Sequence, residues 1–431
     1  MGKKILLIDP PFQKFMGFSK NGIPLGLLSL AGQLKRSGHD VEVLDSDYNP
    51  DGTPYPFVAK IGHYGEYLEN LRNSNHRIWR GIASQIEKSK PDIVGISMIS
   101  TKLQSGLEVA HIAKDLGVRR VIAGGPHVTI FPEDALKNKY IDSAVQGEGE
   151  AVFEEALTNR IVKASRIQNL NSLAWPARET LVGIEEYDPK DLGFTMTSRG
   201  CPGSCNFCSS ESLWGTTVRM RDIRDVIDEM DSTHENYGTN EFYIVDDTFT
   251  LGEERVKRFC NGIQDRGYER SCLTRVDKLD GNMLEQMAES GCSMVKVGIE
   301  SGSQRVLDLM NKGTTIEQIR GAAKLLNDKN MPWLSYVMVG VPGETSEDVD
   351  KTMKLIEEIS PSYVSAAIYT PYPGTGFSKQ TQGLDFAREE ANHHSMKVLA
   401  GDVPKEKIME LMEFADKYNH DSRRARDIFK C

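Results

Sequence analysis

Residues 198–210 read SRGCPGSCNFCSS. Cys201, Cys205 and Cys208 stand in a C-x3-C-x2-C spacing, while Cys260, Cys272, Cys292 and Cys431 are scattered. A tight triplet plus singles, in an odd total of seven, points to a metal site with separate thiols rather than a disulfide framework. Three thiolates on one loop can hold three irons of a [4Fe–4S] cluster, which leaves one iron for a ligand that is not cysteine. Zinc with a remote fourth ligand is the alternative, although zinc sites more often show paired C-x2-C units.

Outward from the triplet the chain alternates strand and helix signals. FTMTS (194–198) precedes it as a strand, and FYIV (242–245), CLTRV (272–276), MVKVGI (294–299), LSYVMVG (334–340) and VSAAIY (364–369) follow with amphipathic segments between. Six βα units over 194–376 make a partial (β/α)6 barrel, short of the roughly 250 residues of an eightfold one. Residues 1–160 show a second α/β region. KILLI (4–8), VEVL (41–44), IVGISM (93–98), RVIAGG (120–125) and SAVQG (143–147) are short apolar runs. With helices at 25–34, 66–88, 104–116 and 132–139, they predict a doubly wound, flavodoxin-like parallel sheet. The Gly-, Pro- and Tyr-rich stretch 49–65 reads as irregular, 161–193 as a linker with room for one strand or helical turn, and 377–431 as a short helical C-terminal segment.

Composition narrows the function classes. The 431 residues are 39% apolar and 26% charged, ordinary for a globular protein. A net charge of −10 argues against a nucleic-acid partner. No uncharged run is long enough to span a bilayer, and the N-terminal apolar stretch is too short for a secretory signal, so the expected compartment is the cytoplasm.

The triplet placed after the first strand of a partial barrel resembles the radical S-adenosylmethionine (SAM) superfamily. That resemblance implies a [4Fe–4S] cluster on Cys201, Cys205 and Cys208, whose open iron binds SAM and whose electron releases a 5′-deoxyadenosyl radical. It implies that Phe207 packs beside the adenine. In FYIVDDTFT, Asp246 and Asp247 look like the variant that holds the SAM amino group, with capping of the next helix as the other role. Arg275 in TRVDKLD is implied for the SAM carboxylate, against an intra-barrel salt bridge, and Lys312 is a second candidate. Glu300 and Ser301 in VGIESGS are implied for the ribose. Gly340 in MVGVPGET would let backbone approach the adenine. Tyr336, Tyr369 and Tyr372 are candidates for the barrel mouth, with ordinary packing as the plainer reading.

In the N-terminal region, three strand ends carry unusual residues: GISMIS, AGGPHVT and QGEGE. Ligands of open α/β sheets bind at such carboxyl ends. The G-x-G-x-x-G fingerprint of a dinucleotide site is absent after the first strand. The arrangement resembles the cobalamin-binding, Rossmann-like domains fused to radical SAM barrels. The resemblance places Ser97, Gly124 and Gly125 around the nucleotide tail, with Pro126, His127, Gly147 and Glu148 beside them. For His127 a turn-stabilising hydrogen bond is an equal alternative. Cobalamin domains that ligate cobalt through histidine carry D-x-H-x-x-G after strand one. Here that place reads Asp9-Pro10-Pro11-Phe12, so Pro11 stands where the histidine would be and, with Phe12, would face the lower side of the corrin.

The combined resemblance implies an enzyme with three cofactors: the cluster, SAM and cobalamin. Its implied chemistry is methylation of an unactivated carbon or phosphorus centre. One SAM methylates Co(I), a second gives the radical, and the substrate radical takes the methyl group from methylcobalamin. Cyclisation, rearrangement or oxidation without methyl transfer is the alternative within the family, and an iron–sulfur sensor the alternative outside it. The implied partners are a small-molecule or peptide substrate and an external electron donor of flavodoxin or ferredoxin type.

Overall fold

A computed structural model describes residues 2–20, 22–52, 57–372, 374–378 and 401–421, with backbone alone at 57–60. His393, His394, Cys431 and most of the 377–431 segment lie outside the described residues.

The first sheet has six parallel strands: β1 (Lys4–Asp9), β2 (Asp40–Asp45), β3 (Ile93–Ser97), β4 (Arg120–Gly124), β5 (Ser143–Gln146) and β6 (Ile161–Lys163). Their order, β2-β1-β3-β4-β5-β6, reverses direction beside β1, which marks the switch point where open sheets bind ligands. Leu6, Ile8, Val94, Ile96 and Val121 pack on one side, and Ile5, Leu7, Ile93, Ile122 and Val145 on the other. Burial of both faces is why these strands read as unbroken apolar runs. The covering helices are α1 (Leu25–Arg36), α2 (Phe57–Arg72), α3 (Arg77–Ser89), α4 (Leu103–Asp115), α5 (Pro126–Ile130) and α6 (Pro132–Leu136).

The second sheet is also parallel and runs in chain order: β7 (Phe194–Thr195), β10 (Glu241–Ile244), β11 (Glu269–Arg275), β12 (Cys292–Glu300), β13 (Trp333–Val339) and β14 (Tyr363–Ile368). Between β7 and β10, β8 (Ser198–Arg199) pairs antiparallel with β9 (Arg219–Met220). Helices α7 (Ser210–Trp214), α8 (Ile223–Tyr237), α9 (Glu253–Ile263), α10 (Gly281–Glu289), α11 (Gln304–Leu309), α12 (Ile316–Asp328) and α13 (Ser346–Ile359) alternate with the strands. The last described helix, α14 (Lys405–Asp421), lies along β14. Asn419 donates to the Val364 carbonyl and accepts from its N–H, each at 2.8 Å. The side chain thus satisfies backbone groups that an edge strand leaves open.

Four sequence expectations change. The 66–88 helix is two helices, because Asn73 accepts from the Asn75 N–H and His76 caps α3 by accepting from the Ile78 N–H. Part of the stretch expected to be irregular, from 57 onward, is helical in α2. The 161–193 segment carries the one strand it had room for, β6, but instead of only linking the two regions it packs back on the first sheet, where Val182 donates to the Val43 carbonyl. The strand expected over 194–198 is broken after Thr195, since Asp246 claims the Thr197 and Ser198 backbone.

The two sheets are joined through buried charge. Glu148 accepts from Arg199 at 2.5 Å, from Arg219 at 2.6 Å and from the Ile167 N–H at 2.7 Å, while Arg199 also donates to Glu150 at 2.6 Å. Burial works to raise the Glu148 carboxyl, but the two guanidinium groups overcome it and hold it below the usual carboxylate range.

Candidate active site

The cysteine loop leaves β8 through Gly200, whose φ of +104° and close approach to the Thr217 carbonyl exclude a side chain. The three thiols are free. A Cβ built at Gly203 would lie 3.6 Å from the Cys201 sulfur and 3.8 Å from that of Cys205, so this glycine leaves open the space between them. The far side of the loop is tied down at α11. The Asn206 N–H donates to the Met310 carbonyl, its side chain donates to Leu309, and Asn311 donates to the Ser204 carbonyl.

Burial raises the Cys205 thiol, opposed by Lys312 and Arg275, and burial pushes Cys208 up to about 11 despite an N–H from Ser210. Among the described residues, no three His, Cys, Asp or Glu side chains gather closely enough for a single metal ion. Corner ligands of an iron–sulfur cube stand farther apart than the ligands of one ion, and three thiols on one loop with open space at Gly203 suit such corners.

Several expected residues surround the loop. Arg275 places a guanidinium nitrogen 3.8 Å from the Cys205 sulfur, donates to the Lys312 carbonyl at 2.8 Å and pairs with Asp277. Phe207 packs against a cluster of Val306, Met310, Val341, Tyr369 and Phe377, and the Lys312 ammonium lies 5.7 Å from its ring centre. Glu300 sits at φ +63°, an uncommon conformation for a side-chain-bearing residue, and pairs with Lys312 at 2.8 Å. Gly340, at φ +84°, donates its N–H to Glu344, whose buried carboxyl is raised to about 7.

The geometry corrects other expectations. Asp246 is buried and accepts four hydrogen bonds, from the N–H and hydroxyl of both Thr197 and Ser198. That fills the acceptor capacity of a carboxylate, so none is left for an ammonium. Asp247 is the exposed member of the pair, and it accepts from Ser210 at 2.8 Å. Ser301 is fully buried among Thr352 and Ser303, where it shapes the turn instead of facing a ribose. Tyr336 lies in the lower barrel lumen, below the mouth.

At the carboxyl end of the first sheet a cavity of about 330 Å3 opens toward the barrel. Ser97, Gly124, Gly125, Pro126, Gly147 and Glu148 line it, over an apolar floor that includes Leu7, Ile122, Val145 and Phe153. A Cβ at Gly124 would meet nothing nearer than 3.9 Å, whereas one at Gly125 would strike Met98 and Ser97. The absence of side chains at this ledge leaves a slot for a flat heteroaromatic group, which is the shape of a cobalamin nucleotide tail. Barrel residues Met196, Ser198, Arg199, Trp214, Val245 and Asp247 close the other wall.

At this cavity the turn-stabilising alternative holds for His127, and the expectations for Pro11 and Phe12 fail. His127 is buried beneath it, 3.0 Å from the Ser100 hydroxyl and 3.6 Å from Asp134, and burial lowers its pKa. It is a turn residue. Pro11 and Phe12 do not line the cavity, and the Phe12 ring packs 4.7 Å from Tyr67 instead. Asp9, at the same loop, is engaged by Lys20 and Lys102. Among the described residues, no histidine lines the cavity. Arg199 and Trp214, stacked at 5.3 Å, went unnoticed in the sequence because neither belongs to a spaced motif.

A barrel with three thiols at its first loop, sharing a wall with a glycine-lined cavity, defines a radical SAM enzyme fused to a cobalamin domain. Comparison with known proteins agrees. Residues 195–356 match the radical SAM superfamily and residues 18–157 the B12 binding domain. An uncharacterized methyltransferase of Pyrococcus horikoshii is 33% identical over 402 residues, covering 86% of this chain and 82% of its own. The anaerobic magnesium-protoporphyrin IX monomethyl ester cyclase of Rubrivivax gelatinosus is 29% identical, covering 73% of this chain and 62% of its own. The radical SAM methyltransferase TsrM of Kitasatospora setae, solved with cobalamin and a [4Fe-4S] cluster, shares the fold at 18% identity. It has a TM-score of 0.67 and the match covers 90% of this chain and 77% of that one. The chain belongs to the cobalamin-binding radical SAM family, and its cofactors are a [4Fe–4S] cluster, SAM and cobalamin. No described helix is long and apolar enough to cross a membrane.

Proposed function

We propose that this chain is a methyltransferase that acts on an unactivated carbon or phosphorus centre of a small-molecule or peptide substrate. One observation carries the reading. Ser198, Arg199 and Asp247 flank the cysteine loop and also wall the glycine-lined cavity, so a radical source and a methyl carrier border the same space. When bound, the reduced cluster supplies the electron that cleaves SAM, and cobalamin carries the methyl group.

The chain's own residues bind, orient and exclude water. Cys201, Cys205 and Cys208 hold three irons. Arg275 and Lys312 present positive charge where a carboxylate of SAM would sit, and Asp247 presents the carboxylate for its ammonium. Phe207 and the Val341–Tyr369 cluster supply an apolar face for adenine, with backbone approach at Gly340. Glu300, held by Lys312 at positive φ, is the carboxylate that would accept from the ribose hydroxyls. An external electron donor of flavodoxin or ferredoxin type completes the system.

Two variants separate the roles in the aspartate pair. Asp247→Asn is expected to weaken SAM binding about tenfold with the melting temperature unchanged, because it removes one charge-assisted contact. Asp246→Ala is expected to cost at least about 2 kcal/mol of stability, because buried donors lose their acceptor. SAM titration and thermal unfolding of both variants check this. At the cobalamin slot, Gly124→Leu fits the fold but fills the cavity. It is expected to lower bound cobalamin at least about tenfold with iron content unchanged. Since Pro11 stands where a ligating histidine would be and no described histidine lines the slot, the EPR spectrum of the Co(II) form is expected to show no axial nitrogen splitting.

A second reading, ring closure or oxidation without methyl transfer, is favoured by the cyclase relative. Product mass decides between them. Turnover with SAM carrying a CD3 group adds one CD3 to the product in the first reading, and removes hydrogens without adding label in the second.

A further inference from the structure

Beneath the reaction site lies a second, larger cavity of about 1370 Å3, open between the amino-terminal end of the barrel strands, the 19–52 region of the first domain and the 186–191 segment. Its inner wall comes from the alternate residues of the strands that face the lumen: Tyr243 on β10, Ser271 on β11, Met294 and Lys296 on β12, and Tyr336 on β13. Lys296 is the unusual member. Its ammonium lies 3.8 Å from the Tyr243 ring centre, and it makes no hydrogen bond or ion pair with any described residue. Burial lowers its pKa to about 8, with only Cys272 acting against that. A cation without a counter-charge in a low-dielectric lumen is costly, and Met294 shows that an apolar side chain fits the same wall. Nothing in the barrel's packing requires a charge at this position.

On the inner wall the polar groups beside Lys296 are hydroxyls, which can donate to an anion. The hydroxyls of Tyr243, Tyr336 and Ser271 share its cavity, and burial holds both phenols in their protonated, donating form. At the open end the sign reverses, since Glu186, Asp188 and Asp191 line it beside Lys20 and Lys190 and two further carboxylates join them. Glu241 and Glu269 are register partners at the starts of β10 and β11, both exposed, and neither has an ion pair among the described residues. They lie on the same lumen-facing side as Tyr243 and Ser271. Leu273 is the register partner of Lys296, so the acidic pair sits four residues below it, about 13 Å along the strand.

We propose that the lower lumen is a binding site for an elongated zwitterion, with a carboxylate or other compact oxyanion seated on Lys296, Tyr243, Tyr336 and Ser271 and an ammonium between Glu241 and Glu269. The acidic mouth excludes plain polyanions, and the inner ammonium excludes plain cations. This site is separate from the cysteine loop, and it stands whether or not the chain transfers methyl groups.

The test uses the full chain with its cluster loaded and ligand-observed NMR, with 6-aminohexanoate, hexanoate and inorganic phosphate as probes. Wild type is expected to bind 6-aminohexanoate more tightly than either other probe. Lys296→Met, with unchanged iron content and melting temperature, is expected to lose at least about tenfold in that affinity. In the double variant Glu241→Gln, Glu269→Gln the preference for 6-aminohexanoate over hexanoate is expected to vanish. The proposal is overturned if wild type binds none of the probes, if it prefers phosphate, or if Lys296→Met binds 6-aminohexanoate as wild type does.

Discussion

Replacing any one of Cys201, Cys205 or Cys208 with alanine is expected to abolish reductive cleavage of SAM, a loss of at least about a thousandfold in 5′-deoxyadenosine formation. The size follows from the chemistry. With two thiolates the cube loses a corner ligand. Cys260, Cys272 and Cys292 cannot substitute, since all three are buried in the core that packs outside the barrel strands. Serine is expected to do no better, because an alkoxide is a poor partner for iron–sulfur chemistry. The check is anaerobic reconstitution, iron and sulfide analysis, and chromatography of 5′-deoxyadenosine. Cleavage at wild-type rate in any of the three variants would remove the cysteine loop from the mechanism.

Glu148→Ala is expected to be the most damaging substitution outside the cysteine loop. Removing it leaves Arg199 and Arg219 buried without their shared counter-charge, and breaking such a pair from one side costs about 3–5 kcal/mol. The loss falls on the contact between the two domains, so cobalamin retention is expected to fall with stability. The same group gives a pH dependence. Its folded pKa lies below the ordinary 4.5, so the stabilisation is complete above that value and is lost as pH falls through the folded one. Thermal unfolding of wild type and Glu148→Ala should therefore differ most at neutral pH and converge in acid. A constant difference across that range would show that the carboxylate is not what holds the junction.

These two expectations differ in how far the sequence alone supports them. The cysteine loop was legible because its chemistry is local: three ligands within eight positions, after a strand. Arg275, Lys312 and Phe207 were legible as strand-end or loop residues in recognisable surroundings, and the structure gathers them at the cysteines. The slot glycines followed from their strand ends in the same way. Glu148 was noticed, but its partners were not, since Arg199 and Arg219 lie 51 and 71 positions away. Asp246 and Asp247 show a sharper limit. Adjacent residues after a strand point in opposite directions, and only the fold shows which one turns inward to hold Thr197 and Ser198. His127 was drawn toward the cofactor by its GGPH setting, yet α5 carries its ring under the cavity to Ser100. Lys296 was invisible for a different reason. In VKVG it reads as an ordinary polar position on a strand, and only closure of the sheet makes that face a lumen.

The central claim is that one chain combines SAM cleavage with cobalamin-dependent methyl transfer. Its most direct measurement is anaerobic incubation with CD3-labelled SAM and a one-electron reductant, with and without cobalamin, counting S-adenosylhomocysteine and 5′-deoxyadenosine. The expected result is 5′-deoxyadenosine in both samples and S-adenosylhomocysteine only where cobalamin is present. S-adenosylhomocysteine absent from both samples, or formed equally in both, would contradict the account.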